Sequence, residues 1–221
     1  MGPDEFYSMF KLDGRDTGAA YTMRKEQRAQ GVPPNWMVYI STGSADQTAA
    51  KTAQAGGTVL MPAFDVMDVG RMAVLQDPNG AVFSAWQEKR PQALVISGGD
   101  GRLCWADLST PDPDRAARCD SEVFGWKAEK GAHDPSGYLH IKNGEDFIGG
   151  IPPANRRNPL APPHWMIYIQ VADVEATAAK AKQLGAKLHM PPTKMENVGD
   201  MAIIADPQGA VFAVFKSARR S

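Results

Sequence analysis

The chain repeats itself, and this limits its possible folds more than any other feature of its 221 residues. Pro33-Pro34-Asn35-Trp36-Met37-Val38-Tyr39-Ile40 recurs as Pro162-Pro163-His164-Trp165-Met166-Ile167-Tyr168-Ile169. The register runs on without a gap until Asp77-Pro78-Asn79-Gly80-Ala81-Val82-Phe83 lies over Asp206-Pro207-Gln208-Gly209-Ala210-Val211-Phe212. Upstream the match weakens but continues, with Tyr7 to Lys11 over Tyr138 to Lys142. The chain therefore carries a duplicated unit. The expected division is a first domain over 1–87, a linker over 88–101 and a second domain over 102–221. Pro91 and the run Gly98-Gly99-Asp100-Gly101 suit a flexible connection.

Within each copy the pattern predicts strands around one helix, then further strands. Trp165 to Val171 is short, apolar and rich in β-branched and aromatic residues, which favours a strand. Asp173 is positioned to cap a helix whose apolar face is Val174, Thr177 or Ala178, Ala181 and Leu184, with Gly185 supplying the left-handed exit. The first copy offers Ser44 and Gln47 as a capping box and Gly56 as the exit. Met201 to Ala205 and Ala210 to Phe215 read as strands joined at Asp206-Pro207-Gln208-Gly209, a hairpin with proline second and glycine fourth. The order is β-α-β-β-β. A further such module precedes the second copy: a strand over Leu103 to Thr110, a helix from Asp112 to about Val123, and strands near Tyr138 to Lys142 and Asp146 to Ile151. The first copy lacks the opening strand and helix of that extra module, which would leave a sheet edge and an apolar patch uncovered. Such edges invite a partner, so a homodimer or a natural start further upstream is expected.

Composition narrows the function classes. A formal net charge of −1 gives no concentrated basic face for nucleic acid or an anionic membrane, so neither is an expected partner. No apolar run nears the ~20 residues of a membrane span. The start, Met1-Gly2-Pro3-Asp4-Glu5, does not read as a signal peptide. Cys104 and Cys119 fit no zinc spacing and no disulfide framework, so a cytoplasmic protein with two reduced thiols is expected.

Three features taken together resemble a known family: the strand-to-Ser109-Thr110-Pro111-Asp112-Pro113-Asp114 entry, the helix exit Glu122-Val123-Phe124-Gly125-Trp126, and the two Asp-Pro-x-Gly-Ala-Val-Phe hairpins. They look like the vicinal oxygen chelate superfamily of glyoxalases, bleomycin-resistance proteins and extradiol dioxygenases. Within it, the resemblance is to the two-domain, glyoxalase-like branch related to a 27-kDa antigen. It covers nearly the whole chain and implies an α+β fold of tandem βαβββ modules, paired into cup-shaped mixed sheets with flanking helices. It also implies a divalent metal in the cup, held by His or Gln near the start of a module's first strand and Glu on its last. Three such ligands leave positions where a substrate with adjacent oxygens chelates.

Carried onto this chain, those positions hold unsuitable residues. Strand alternation puts Met166, Tyr168 and Gln170 on the cup side and Ile167, Ile169 and Val171 toward the helix. The His/Gln position falls on Met166, Met37 and Trp105, and the Glu position on Ala213, Ser84 and near Gly150. No metal or other cofactor is therefore expected. The family's aromatic pair in the second-domain helix is replaced by Cys119-Asp120, and Cys119 reads as a small core residue in preference to a nucleophile.

The polar candidates that remain are Asp107 and His140. A carboxylate at Asp107 inside an apolar cavity would have a raised pKa and could serve as a general base; its bland role is a hydrogen-bonded structural aspartate. His140 shares the inner face with Tyr138. His133 lies only loosely near Cys119 in sequence, His164 takes the Asn35 position at the rim, and His189 reads as surface. Trp36 and Trp165 are expected in the core. The expected ligand-binding set is Met37, Tyr39, Trp86, Trp105, Tyr138, Met166 and Tyr168, aromatic and thioether-rich as small-molecule pockets are. The leading expectation is a metal-free protein that binds a small apolar or aromatic molecule. The alternatives are a lyase, isomerase or dioxygenase, metal-dependent or using Asp107 and His140, and an assembly role for the incomplete first domain.

Overall fold

The structure, a computed structural model, describes residues 6–89, 99–131 and 135–218. Much of the expected linker, including Pro91 and Gly98, and also His133, lies outside the described residues. In chain order a ribbon of β1 (Tyr7–Leu12) and β2 (Arg15–Tyr21) and a short α1 (Lys25–Ala29) come first. Three runs of one strand, one helix and three strands follow. They are β3 (Tyr39–Ser41), α2 (Ala45–Gln54), β4 (Thr58–Val66), β5 (Gly70–Gln76) and β6 (Val82–Glu88); then β7 (Leu103–Ser109), α3 (Pro113–Phe124), β8 (Lys127–Lys130), β9 (Leu139–Asn143) and β10 (Asp146–Ile151); then β11 (His164–Gln170), α4 (Val174–Gln183), β12 (Lys187–Met195), β13 (Gly199–Ala205) and β14 (Val211–Ser217). This is the α+β, β-α-β-β-β organisation that the repeat predicts.

Two compact units form. One takes in the described residues up to Trp36, those from Gly99 to Cys104 and those from Tyr168 on; the other holds the rest. In the first unit β14 lies between β13 and β11, antiparallel to β13 and parallel to β11, with β12 on the outer edge. In the second unit the strand orders are β3-β6-β5-β4 and β7-β10-β9-β8, again with the opening and closing strands of each module parallel. The helix between them makes the crossover that parallel neighbours need.

The helices start and stop where their caps dictate. Asp173 accepts the Ala176 N–H at 2.9 Å, Asp112 accepts that of Arg115 at 3.0 Å, and Ser44 accepts that of Gln47 at 3.2 Å. The reciprocal half of the expected Ser44–Gln47 box is replaced, because Thr42 Oγ1 already accepts the Ser44 N–H at 3.4 Å. Gly125 ends α3 at φ 74°. Val174 and Ala178 are buried, but Leu184, expected on the same face, is 65% exposed because it lies at the C-cap, beyond the last turn. Pro62 and Pro191-Pro192 sit inside strands because β4 and β12 are edge strands whose register slips between Met61 and Phe64 and between Met190 and Thr193.

The weak upstream match proves close in backbone terms. In β1–β2, Met9 pairs with Ala19 and Phe10 with Gly18, followed by a slip before Lys11 pairs with Asp16. In β9–β10, His140 pairs with Gly150 and Ile141 with Gly149, with the same slip before Lys142 pairs with Phe147. Environment differs: Ile141 is buried in the second unit, whereas Tyr7, Met9, Phe10 and Tyr21 are exposed. The second unit's core centres on Leu75, Phe83, Leu108, Ile141 and Ile151, and the first unit's on Val174, Ala178, Ile204 and Val214. Among the described residues no helix is long and apolar enough to cross a membrane.

Candidate functional site

The inner face of β7, β10 and β9 gathers the polar candidates. Ala106 and Leu108 point into the core, so alternation turns Trp105 and Asp107 to the opposite face of β7. Gly150 on β10 stands between Asp107 on β7 and His140 on β9, paired with both. It has no side chain, and the Tyr138 ring occupies the space: a Cβ on Gly150 would overlap the phenol. From there Tyr138 donates its hydroxyl to Asp107 Oδ1 at 2.5 Å. The Trp105 indole N–H is shared between Asp107 Oδ1 at 2.9 Å and Tyr138 Oη at 2.8 Å. Asp107 is buried, and its Oδ1 accepts from both Trp105 Nε1 and Tyr138 Oη.

His140 completes an aromatic group. Its ring meets Tyr138, Phe147 and Trp105 edge-on, with centroids at 5.0, 5.5 and 6.2 Å. Phe147 is half-exposed and carries the Lys142 ammonium 5.0 Å from its centroid, a cation–π contact at the open side. The face thus presents rings, one fixed carboxylate and a peripheral cation.

The remaining members of the expected set form separate contacts. Tyr39 and Trp86 meet edge-on at 6.3 Å, with Trp86 lying over Gly70 where a side chain would collide. In the first unit Tyr168 meets Phe215 at 6.4 Å, and its carbonyl accepts the Cys104 thiol at 3.4 Å. Met37 and Met166 are half-buried. Trp165 is buried in the core, edge-on to Trp126, and Trp36 packs edge-on against Phe212. His164 Nδ1 bonds the Pro162 carbonyl at 2.8 Å, and His189 is exposed. Sequence reasoning missed Phe147, and it marked the neighbourhood of Gly150 only as a lost ligand position, not as the seat of the Tyr138 ring. The Gly149-Gly150 doublet inside a strand was the available signal, since such glycines mark close approach.

The donor set does not fit a divalent metal. Ala213 on β14 and Ser84 on β6, where the resemblance implies a Glu, are both fully buried. Near the third position where the resemblance implies an acid, Gly150 is covered by a phenol already bonded to Asp107. A thioether, an indole, a methyl and an uncharged hydroxyl are poor partners for a hard cation. Among the described residues no three His, Cys, Asp or Glu side chains are placed to hold a metal ion.

Cysteine chemistry is also disfavoured. Burial, then Asp120, Asp77 and Glu122, push the Cys119 thiol up to about 12 against a smaller pull from Arg115. Burial pushes Cys104 up to about 11. Thiols held protonated are not nucleophiles.

Comparison with known proteins fits this architecture. The sequence profile of the Glyoxalase/Bleomycin resistance protein/Dioxygenase superfamily matches residues 102–214. The chain is 36% identical over 215 residues to "Putative glyoxylase CFP32" of Mycobacterium tuberculosis (strain CDC 1551 / Oshkosh), covering 96% of this chain and 80% of that protein. The chain belongs to this superfamily. A more distant relative is the anthracycline biosynthesis protein DauV of Streptomyces sp. (strain C5), 31% identical over 83% of this chain and 66% of its own length. Among solved structures, the Mn(II)-bound glyoxalase from Novosphingobium aromaticivorans superposes with a TM-score of 0.54 at 16% identity, covering 80% of this chain and 61% of that one. The 2,2',3-trihydroxybiphenyl 1,2-dioxygenase of Sphingomonas wittichii strain RW1 gives 0.55 at 14% identity, covering 84% and 71%. These likenesses show the fold.

Proposed function

We propose that this protein binds a small apolar or aromatic molecule against the inner face of β7, β10 and β9 without a resident metal. The observation that carries the reading is Tyr138 lying over Gly150, bonded to Trp105 and Asp107 at a position where the superfamily resemblance implies an acidic ligand. Rings from Trp105, Tyr138, His140 and Phe147 offer edges and faces to a planar guest. The Asp107 carboxylate and Lys142 ammonium supply the few polar groups that orient a ligand in an otherwise apolar site. The anthracycline biosynthesis protein among the relatives makes an anthracycline a sensible first probe.

The experiment is a thermal-shift screen of planar aromatic compounds, including an anthracycline, alongside metal analysis of the purified protein. A ligand that binds only the folded state raises Tm by linkage. Trp105→Ala and Phe147→Ala should each abolish the shift. A screen without a hit, or about one equivalent of metal held by this face, refutes the proposal. The second reading, acid–base catalysis, rests on the Tyr138–Asp107 hydrogen bond, which gives a proton a defined path between two oxygens. Turnover of a bound compound that Asp107→Asn and Tyr138→Phe both stop would favour it over binding alone.

A further inference from the structure

Two carboxyl groups that the proposed site does not use are enclosed elsewhere in the second unit. Asp77 opens the β5–β6 turn, where its Oδ1 accepts the N–H groups of Asn79 and Ala81, both at 2.8 Å. The turn is fastened to the approach of α3: Asn79 Nδ2 donates to Thr110 Oγ1 and to the Asp112 carbonyl, both at 2.9 Å. Asp120 lies on the buried stripe of α3 with Ala116, Cys119 and Val123. Asp77 is 5% exposed and Asp120 6%, and the Oδ2 of each is buried without a hydrogen-bond partner. In the other repeat Asp206 makes the same turn, with its Oδ1 accepting three N–H groups, but it is only half-buried.

Each buried, orphaned carboxylate oxygen is costly if its group ionises, and a retained proton relieves the cost. We propose that Asp120 keeps its proton in the folded protein and serves as a pH-operated latch where α3 packs beside the β5–β6 turn and β6, through Asn79 on Thr110 and Asp112 and Phe83 edge-on to Phe124. Burial and the charge of Asp77 push Asp120 up to about 8, and burial raises Asp77 against the pull of its turn amides and of Arg115. The other groups acting on this corner are Cys119 and Glu122, both on α3. The turn leads into β6, which carries Trp86, while α3 follows β7, which carries Trp105 and Asp107. The latch therefore ties together the strands that bear two parts of the aromatic set.

The linkage has a definite sign. A carboxyl whose folded pKa is raised binds its proton more tightly when folded. Its contribution is fully present below the ordinary carboxylate range and is lost as pH rises through about 8. Over that window the folded-to-unfolded ratio should fall about tenfold per pH unit. The test is urea denaturation of the whole chain at several values between pH 5 and 9, for wild type and Asp120→Asn, with the wild-type aspartate carboxyl carbons titrated by NMR. The expected result is a falling wild-type stability that Asp120→Asn flattens, together with one aspartate titrating near 8. An Asp120→Asn slope equal to wild type overturns the proposal. So does every aspartate titrating in the ordinary carboxylate range, and that readout holds even if the variant fails to fold.

Discussion

Replacing Gly150 with alanine tests how the site is built. The added methyl would overlap the Tyr138 ring, not backbone, so the strand can stay in place only if the tyrosine swings away. Two bonds are then lost: Tyr138 to the Asp107 carboxylate and Trp105 to Tyr138. A hydrogen bond contributes about 1 kcal/mol net, and a buried group left without one costs about 1–3 kcal/mol. Trp105 keeps its bond to Asp107, and the displaced phenol recovers water, so the expected net loss is roughly 2–3 kcal/mol. For a chain of this length that lowers Tm by roughly 5–10 °C. Urea denaturation followed by far-UV circular dichroism and tryptophan fluorescence measures it. Tyr138→Phe removes the same hydroxyl without the clash and should account for most of the loss. The double variant should therefore be strongly non-additive. Gly149→Ala is the control, because its methyl would meet the Ala106 carbonyl of β7, which only a movement of the strand can relieve. It should cost more than Gly150→Ala. If Gly150→Ala falls within about 0.5 kcal/mol of wild type, the phenol is not fixed over Gly150.

Four further outcomes are expected. Purified protein should carry no stoichiometric divalent metal, and a chelator should leave its Tm unchanged; one equivalent found by elemental analysis would contradict this. Cys119 should resist thiol reagents at pH 8 in the folded protein and react on denaturation, because its thiol is buried and pushed up to about 12. Asp173→Ala should cost about 1 kcal/mol by urea denaturation through loss of the α4 N-cap, and Asp173→Asn should restore most of it. The β1–β2 ribbon exposes Tyr7, Met9, Phe10 and Tyr21 and has no third strand among the described residues, so light scattering should reveal a dimer that Phe10→Lys dissociates. A monomer at every concentration would remove that expectation.

Much of the fold was legible because its signals are local. The gapless repeat set the order of elements, Asp112, Asp173 and Ser44 announced helix starts, and Asp-Pro-x-Gly announced both hairpins. Strand alternation was enough to turn Trp105 and Asp107 away from the core, since it depends only on the two-residue period of extended chain. The short α1 went unseen because five residues with no buried side chain carry no apolar stripe. Leu184 was misplaced because periodicity does not mark the residue at which a helix stops.

What tertiary structure alone decided is who meets whom. Tyr138 and Asp107 are 31 residues apart, and only the placement of β10 between β7 and β9 lets a phenol cross a glycine to reach a carboxylate. Asp77 and Asp120 belong to a turn and a helix from different modules, and their burial depends on how those pieces pack. Sequence period specifies which face a residue is on; burial and partner follow from contacts between segments far apart in the chain, which no local pattern encodes.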